Sequence, residues 1–438
     1  MREEFGVFGD TVRLARGGWL QGLYARHRLD LSVADVAFGL LACVWQGRGA
    51  EVESGIESEI VRLCSLGDEG LICSSVRSGW DLWLAALGLQ PGDEVLVSAV
   101  THPDMVRIIQ GHGLLAVPVD LDPETLSPRP EALQEAVTGR TRVVLVAHLF
   151  GAMMDLDRVG RFAREHDLLL AEDCAQAFQG TECLGHPAAD ASMYSFGTLK
   201  TSTALGGAVL RVRNEEVITR MRGIRADYPA QGRRAYAGKL VKVLCLVAAS
   251  RPRPYGLLAR ACQRLSLDFD ALLNSVVRAL PAGEPVEALF RRIRLRPSVP
   301  LLALLARRLE TFDGARLGRR AAAGERVARG LRGDVVHPGV RSSRRTHWLF
   351  PIVVSDPAAV VRELRLRGLD ASRATSSIAV TEAPAGCAEP SDAARMMSGV
   401  VFLPAYPGLP EEALDRMVGI VNELGAREAR ELYDRERA

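Results

Sequence analysis

Residues 70–100 read GLICSSVRSGWDLWLAALGLQPGDEVLVSAV. GLICSS (70–75) and EVLVSAV (94–100) are apolar runs of strand length, while SGWDLWLAALGL (78–89) spaces its apolar residues for one helix face and ends at the turn QPGDE (90–94). Strand, helix and strand in that order make a βαβ unit. Outward from it the alternation continues through LLAVPVDL (114–121, strand), PEALQEAV (130–137, helix), RVVLVAHLF (142–150, strand), DRVGRFAREH (157–166, helix) and DLLLAED (167–173, strand), with ASMYSF (191–196) and GAVLRV (207–212) as later strands. Such a chain is expected to be α/β, a mainly parallel sheet covered by helices, with ligands at the carboxyl ends of its strands.

The rest of the 438 residues sets this unit in context. With 48% hydrophobic, 25% charged and 5% aromatic residues the chain has material for at least two cores, which excludes disordered, collagen-like and coiled-coil classes. The expected division is an N-terminal helical segment (1–69), a large domain (70–225), a basic and apolar helical insert (226–295), a linking helix (296–330) and a smaller C-terminal α/β domain (331–438). No apolar run reaches the ~18 residues of a membrane span, and MREEFGVFGDTVRLARGG (1–18) lacks a secretory pattern. A soluble, cytoplasmic protein is expected. The eight cysteines, at 43, 64, 73, 174, 183, 245, 262 and 387, form no CxxC pair and no zinc-type cluster with the eight histidines, so reduced, mostly buried thiols and no metal are expected. No nucleic-acid partner is expected either.

Only three of the 55 basic residues are lysine: Lys200, Lys239 and Lys242. Arginine keeps its proton at any working pH and cannot act as a free amine, so each surviving lysine asks for a reason. Asp173 follows the strand LLLAE directly, and Lys200 lies 27 residues later, just past ASMYSF and beside the glycine pair of TALGG. An acid and a lone lysine at one edge of a parallel sheet suit pyridoxal phosphate (PLP) chemistry: the lysine bonds the cofactor and moves a proton, and the carboxylate keeps the pyridine nitrogen protonated. Asp173 is also placed to cap the segment that follows it, and the two roles are compatible. Cys174 beside it reads as a small buried cysteine.

Five pieces in register then resemble one family: LGLQPGDEVLVSAVTHPD (87–104), PVDLDPETLSPRPEAL (118–133), HLFGAMMDLD (148–157), AEDCAQAF (171–178) and SFGTLKTSTALGGAVL (195–210) are similar to the PLP-dependent sugar aminotransferases of the DegT/StrS type, within fold type I. The resemblance implies that Lys200 bonds the cofactor, Asp173 partners its pyridine nitrogen, Gln176 lies near its phenolic oxygen and Ser195 binds its phosphate. His102 stands where the family has a ring stacked on the cofactor. A dehydratase branch of the family has histidine in place of the lysine; this chain keeps Lys200, which favours transamination. The implied reaction moves an amino group from glutamate or glutamine to a keto-sugar, possibly nucleotide-linked, in a ping-pong cycle within a homodimer.

Two stretches depart from the family. Where it has a Gly-Thr or Gly-Ser pair at the phosphate, this chain has Val76 and Arg77; the helix N-terminus can still take the anion, with Ser75, Arg77 or Ser78 assisting. Where the family has an Asn-containing motif, this chain reads RIRLRPS (292–298), which puts Arg294 near that position. Two alternatives stay open: another PLP reaction on this fold, such as dehydration or a retro-aldol step, and a non-catalytic relative that binds or regulates. Residues 228–264 carry eight basic residues and no acid, with Leu240, Val241, Val243, Leu244 and Val247 spaced as a greasy helix face. That pattern suits packing on a dimer partner, peripheral contact with an anionic membrane, or docking of a bulky anionic acceptor.

Overall fold

The computed structural model describes residues 22–47, 49–182, 184–277, 284–373 and 378–437. Residues 1–21 of the expected N-terminal segment, and Cys183, lie outside the described residues.

Seven strands build the central sheet: β1 (Gly70–Cys73), β2 (Glu94–Ser98), β3 (Leu115–Val119), β4 (Thr141–Ala147), β5 (Leu169–Asp173), β6 (Ala191–Ser195) and β7 (Ala208–Val212). Their order is β1-β7-β6-β5-β4-β2-β3. The pairs from β6 to β3 are all parallel, and β7 runs antiparallel to both β1 and β6. Every strand except β7 therefore ends at the same edge. Alternate residues serve opposite faces, as the period of a strand requires: Val95, Val97, Val143 and Leu145 join the core under the helix Val76–Leu87, whereas Leu96, Val144 and Val146 join the core on the other side. Both faces are covered, which is why these strands read as continuous apolar runs.

The helix Val76–Leu87 follows β1 and buries Trp80 and Trp83, whose rings stack at 5.5 Å. Each such ring contributes on the order of 2–3 kcal/mol by leaving water. Close approach to the sheet is possible because residue 79 is glycine; a Cβ there would meet the Leu210 side chain at 2.5 Å.

A third core joins the helices Val33–Trp45, Ala50–Leu63, Arg233–Ala249 and Val299–Glu310. In Arg233–Ala249, Leu240 and Val243 are buried with Tyr236, and Val247 packs beside them, while Val241 and Leu244 remain exposed. The expected greasy face is thus divided, most of it turned into the protein's own interior. The Tyr236 hydroxyl donates to the Ala204 carbonyl at 2.8 Å, tying this helix to the loop that carries Lys200. The chain ends in a small three-stranded antiparallel sheet, Phe350–Val353, Val400–Leu403 and Ser372–Arg373, packed with the helices Gly314–Gly330, Pro357–Leu366 and Glu411–Arg437. Among the described residues no helix is long and apolar enough to cross a membrane.

Candidate active site

The shared edge of the sheet collects the expected residues. Asp173 is the last residue of β5 and Ser195 the last of β6, its parallel neighbour, while Lys200 sits in the loop between β6 and the returning β7. Lys200 N–H donates to the Gly197 carbonyl at 3.0 Å, a tight turn that fixes the start of the loop. Its far end is set by Gly207, at φ +87, whose N–H donates to the Ser74 carbonyl at 2.9 Å and so docks the loop beside the end of β1.

Electrostatics tie the lysine to the acid. Burial lowers Lys200 to about 8, with Asp173 opposing the shift and Arg77 adding to it. Burial raises Asp173, against the pull of an Ala175 N–H at 2.9 Å, of Lys200 and of His148. The Ala175 bond means that Asp173 orders the turn after β5 as well as facing Lys200. Behind it, the buried His148 places Nε2 2.9 Å from the Glu172 carboxylate and accepts the Met154 N–H at Nδ1 (3.1 Å), so the proton sits on Nε2. Burial alone would raise Glu172; hydrogen bonds from His148, Ser192 and the His186 N–H overcome it and bring the carboxyl down to about 2.

The remaining residues fall into place around this pair. Ser75 caps the helix Val76–Leu87 by accepting the Ser78 N–H at 3.2 Å, and Ser78 is buried. As the first two helical positions, Val76 and Arg77 have N–H groups without an intrahelical acceptor, so the helix start remains an anion cradle despite the missing glycine. The Arg77 guanidinium is paired with Asp104 at 2.7 Å. His102 caps the helix Pro103–Gly111, accepting the Asp104 N–H at Nδ1 (3.1 Å); burial and Arg77 lower it to about 4, so its ring is neutral. Gln176 accepts the Phe150 N–H at Oε1 (2.8 Å), which leaves its amide Nε2 without a protein partner among the described residues and able to donate. Ser195 accepts the Gly197 N–H at 3.4 Å.

Arg294 lies elsewhere. It grips Asp81 through Nε and Nη2, both at 2.9 Å, and rests on the Phe290 ring at 4.0 Å, more than a turn along the helix from Ser75. The residue that the sequence did not single out is Trp348. Its ring centroid lies 4.2 Å from Lys200 Nζ, and its Nε1–H donates to the Leu199 carbonyl at 2.9 Å. HWLFPIVV shows a strand, and nothing in its spacing says that the tryptophan before it reaches back to the lysine.

These groups suit the cofactor that the sequence implies: an amine lowered toward neutrality, a buried carboxylate facing it, a flat neutral ring, an unpaired amide donor and a helix N-terminus, all at one sheet edge. Residues 45–242 match the DegT/DnrJ/EryC1/StrS aminotransferase family. Over 157 residues the chain is 36% identical to L-glutamine:2-deoxy-scyllo-inosose aminotransferase of Streptomyces fradiae, covering 35% of this chain and 37% of that protein. It is 27% identical to GDP-perosamine synthase of Caulobacter vibrioides (46% of this chain, 55% of that protein) and 32% identical to the pleiotropic regulatory protein of Geobacillus stearothermophilus (37% and 44%). These alignments span about a third to a half of the curated relatives. Among solved structures, the aminotransferase TlmJ from Streptoalloteichus hindustanus superposes with a TM-score of 0.66 at 21% identity, covering 92% of this chain and all of that one. NtdA from Bacillus subtilis, with bound cofactor PMP, gives 0.65 at 18% identity, covering 89% of this chain and 82% of that one. The matched segment contains Ser75 to Lys200 and all seven strands, and the solved structures share their fold with nearly the whole chain.

Proposed function

We propose that this chain is a PLP-dependent aminotransferase that moves an amino group from glutamine or glutamate to the keto group of a sugar or cyclitol. The observation that carries the reading is the placement of Lys200 and the buried Asp173 at one edge of the sheet, near enough that each shifts the other's charge. Bound there, PLP supplies an electron sink that acidifies the carbon bearing the donor's amino group. Lys200 Nζ is the amine placed to bond the cofactor and to take up and return protons. The Asp173 carboxylate supplies the charge that keeps a proton on a pyridine nitrogen. Gln176 Nε2 offers a donor to a phenolic oxygen, and the neutral His102 ring offers a stacking face. The Ser75 and Ser78 hydroxyls and the N–H groups of Val76 and Arg77 at the start of the helix would hold the phosphate, with Ser195 contributing from the end of β6. Arg77, already paired with Asp104, adds positive potential there.

Glutamine as donor is supported by the relatives named L-glutamine:inosose aminotransferases. In the test, the purified protein and PLP are incubated with glutamine or glutamate and the oxo-acid product is measured. One oxo acid formed per active site in the absence of acceptor supports a ping-pong transamination. Its absence, with product formed from the keto substrate alone, favours dehydration or retro-aldol chemistry instead. The regulatory name of one relative favours a second reading, a binding or regulatory protein on the same scaffold, whose signature is cofactor bound without turnover.

For the assembly we infer a homodimer. The helices Val33–Trp45 and Arg233–Ala249 pack together and expose Leu41, Val44 and Trp45 on one and Val241 and Leu244 on the other, an apolar surface of the kind a second copy covers. Peripheral contact with an anionic membrane through Val241, Leu244 and Lys242 is the competing use of that surface. Sedimentation with anionic vesicles at low and high salt separates the two, since only the membrane use gives salt-sensitive binding. A reducing, cytoplasmic setting agrees with the free cysteines at 43, 64, 73, 174, 245, 262 and 387.

A further inference from the structure

The turn after Lys200 is fastened to a second charged site. Ser202 N–H donates to Asp30 at 2.8 Å, the Ser202 hydroxyl donates to the Arg308 carbonyl at 2.9 Å, and Thr201 Oγ1 accepts from Arg320 Nη1 at 3.0 Å. Beside this turn lies a cavity of about 80 Å³ bordered by Asp30, Thr201, Arg308, Phe312, Arg316 and Arg320.

The charges around it do not balance within the protein. Asp30 accepts from Arg308 Nη2 at 3.1 Å and from the Ser202 N–H and forms an ion pair with Arg316 at 2.9 Å, while Asp35 accepts from Arg308 Nη1 at 3.0 Å. Asp313, also at the border, caps the helix Gly314–Gly330 and pairs with Arg319 at 3.1 Å. Arg320 is only 6% exposed, yet among the described residues it has no carboxylate at ion-pair distance and one neutral hydroxyl as acceptor. The Nε atoms of Arg308 and Arg316 are likewise buried without an acceptor. A buried guanidinium left without a charged partner is costly unless something completes it.

We propose that this cavity is an oxyanion-binding site that takes a carboxylate or phosphoryl group, with Arg320 as its charge partner. The space exceeds the roughly 30 Å³ share of one water and admits a group of several heavy atoms. Guanidinium forks match such anions in geometry as well as charge. An occupant bonded to Arg320 would brace Thr201, the residue next to Lys200, and so order the lysine's loop. The two sources of this chemistry are the carboxylate of an amino donor and a phosphoryl group; assigning the donor rests on the proposed function, whereas anion binding does not.

The test is a melting titration of the full chain, loaded with PLP so that added phosphate cannot enter the cofactor cradle. Phosphate, glutarate and, as an ionic-strength control, chloride are added in turn. A saturable rise in Tm with phosphate or glutarate but not chloride is expected, and the anion that responds names the source. Arg320→Met, which keeps an unbranched apolar stem without the charge, should weaken that anion by about tenfold or more, with the anion-free Tm unchanged or higher. A merely structural arginine predicts the reverse, a lower anion-free Tm and an intact response. Arg316→Gln, at the more open rim, gives the same weakening if Arg320→Met does not fold. No saturable rise in the wild type, or a rise that both variants leave intact, overturns the proposal. Failure to load PLP counts against the proposed function instead, and the Arg320 dependence is read all the same.

Discussion

Lys200 Nζ lies 4.2 Å from the centre of the Trp348 ring, and the same tryptophan fixes the lysine's loop through the Leu199 carbonyl at 2.9 Å. A cation over an indole face is stabilised by about 0.5–2 kcal/mol. The ring therefore favours the charged amine and partly offsets the burial that lowers Lys200 to about 8.

Trp348→Leu removes both interactions. Its Lys200 should titrate lower by up to about one unit, since 1.4 kcal/mol corresponds to one unit of pKa. Turnover should fall about tenfold as the loop loosens. Trp348→Phe keeps a ring but not the Leu199 bond, so it should retain most of the wild-type titration and lose mainly turnover. The rate of Lys200 alkylation against pH, in the cofactor-free protein, gives the titration; identical profiles for the two variants would discard the ring effect.

The pH dependence has a definite sign. Free amine at Lys200 increases as pH rises through about 8, so the rate of PLP capture should climb with pH and level off above it. Arg77 lowers Lys200 and Asp173 raises it, so Arg77→Gln should move the midpoint up and Asp173→Asn should move it down. Stopped-flow mixing with PLP over a pH series reads all three midpoints. Shifts in the same direction would show that these two side chains do not set the lysine's charge.

Asp173→Asn should also separate holding the cofactor from using it. The amide still accepts the Ala175 N–H, so the turn folds and PLP binds, but the pyridine nitrogen loses its charged partner. A loss of several kcal/mol of barrier, on the order of 10³-fold or more in the donor half-reaction, is expected. Near-normal single-turnover rates would leave Asp173 as a cap alone.

The His148–Glu172 pair behind Asp173 is expected to matter first to stability. Glu172 is depressed from 4.5 to about 2, so its stabilising contribution is full above pH 4.5 and is lost as pH falls through about 2. Glu172→Gln should cost about 1.5–3 kcal/mol at neutral pH, because it removes the charged acceptor of the buried His148, Ser192 and His186 hydrogen bonds, and should flatten the acid limb between those values. Urea unfolding at pH 7 and pH 3 measures both; an unchanged pH 3 to pH 7 difference in the variant would assign the acid limb to other groups.

How much of this was legible in the sequence depends on the range of the interaction. The parallel sheet was written locally, in apolar runs such as RVVLVAHLF that are continuous because both faces are covered. Lysine scarcity pointed to Lys200, and the end of β5 pointed to Asp173; the structure brings these two together. The capping roles of Ser75 and His102 are equally local, yet the sequence was read for cofactor roles at both and not for caps. Trp348 was not legible, because it reaches Lys200 across almost 150 residues and no local pattern records such a contact. Arg320 was hidden for a different reason: among 52 arginines, no local pattern marks the one that is buried with only a neutral hydroxyl as acceptor among the described residues. The apolar spacing in 240–247 was read as one helix face, but the structure divides it, with Leu240 and Val243 in the chain's own core and Val241 and Leu244 exposed, a division that spacing alone does not record.

The central claim is that Lys200 is the amine to which PLP is bonded. The most direct measurement is the absorption spectrum of the purified chain with PLP, before and after borohydride reduction, in the wild type and in Lys200→Arg. The account predicts a protein-bound visible band in the wild type that borohydride converts to a permanent label on the peptide containing residue 200, and neither band nor label in Lys200→Arg. A label of equal yield in Lys200→Arg, carried by Lys239 or Lys242, would contradict it.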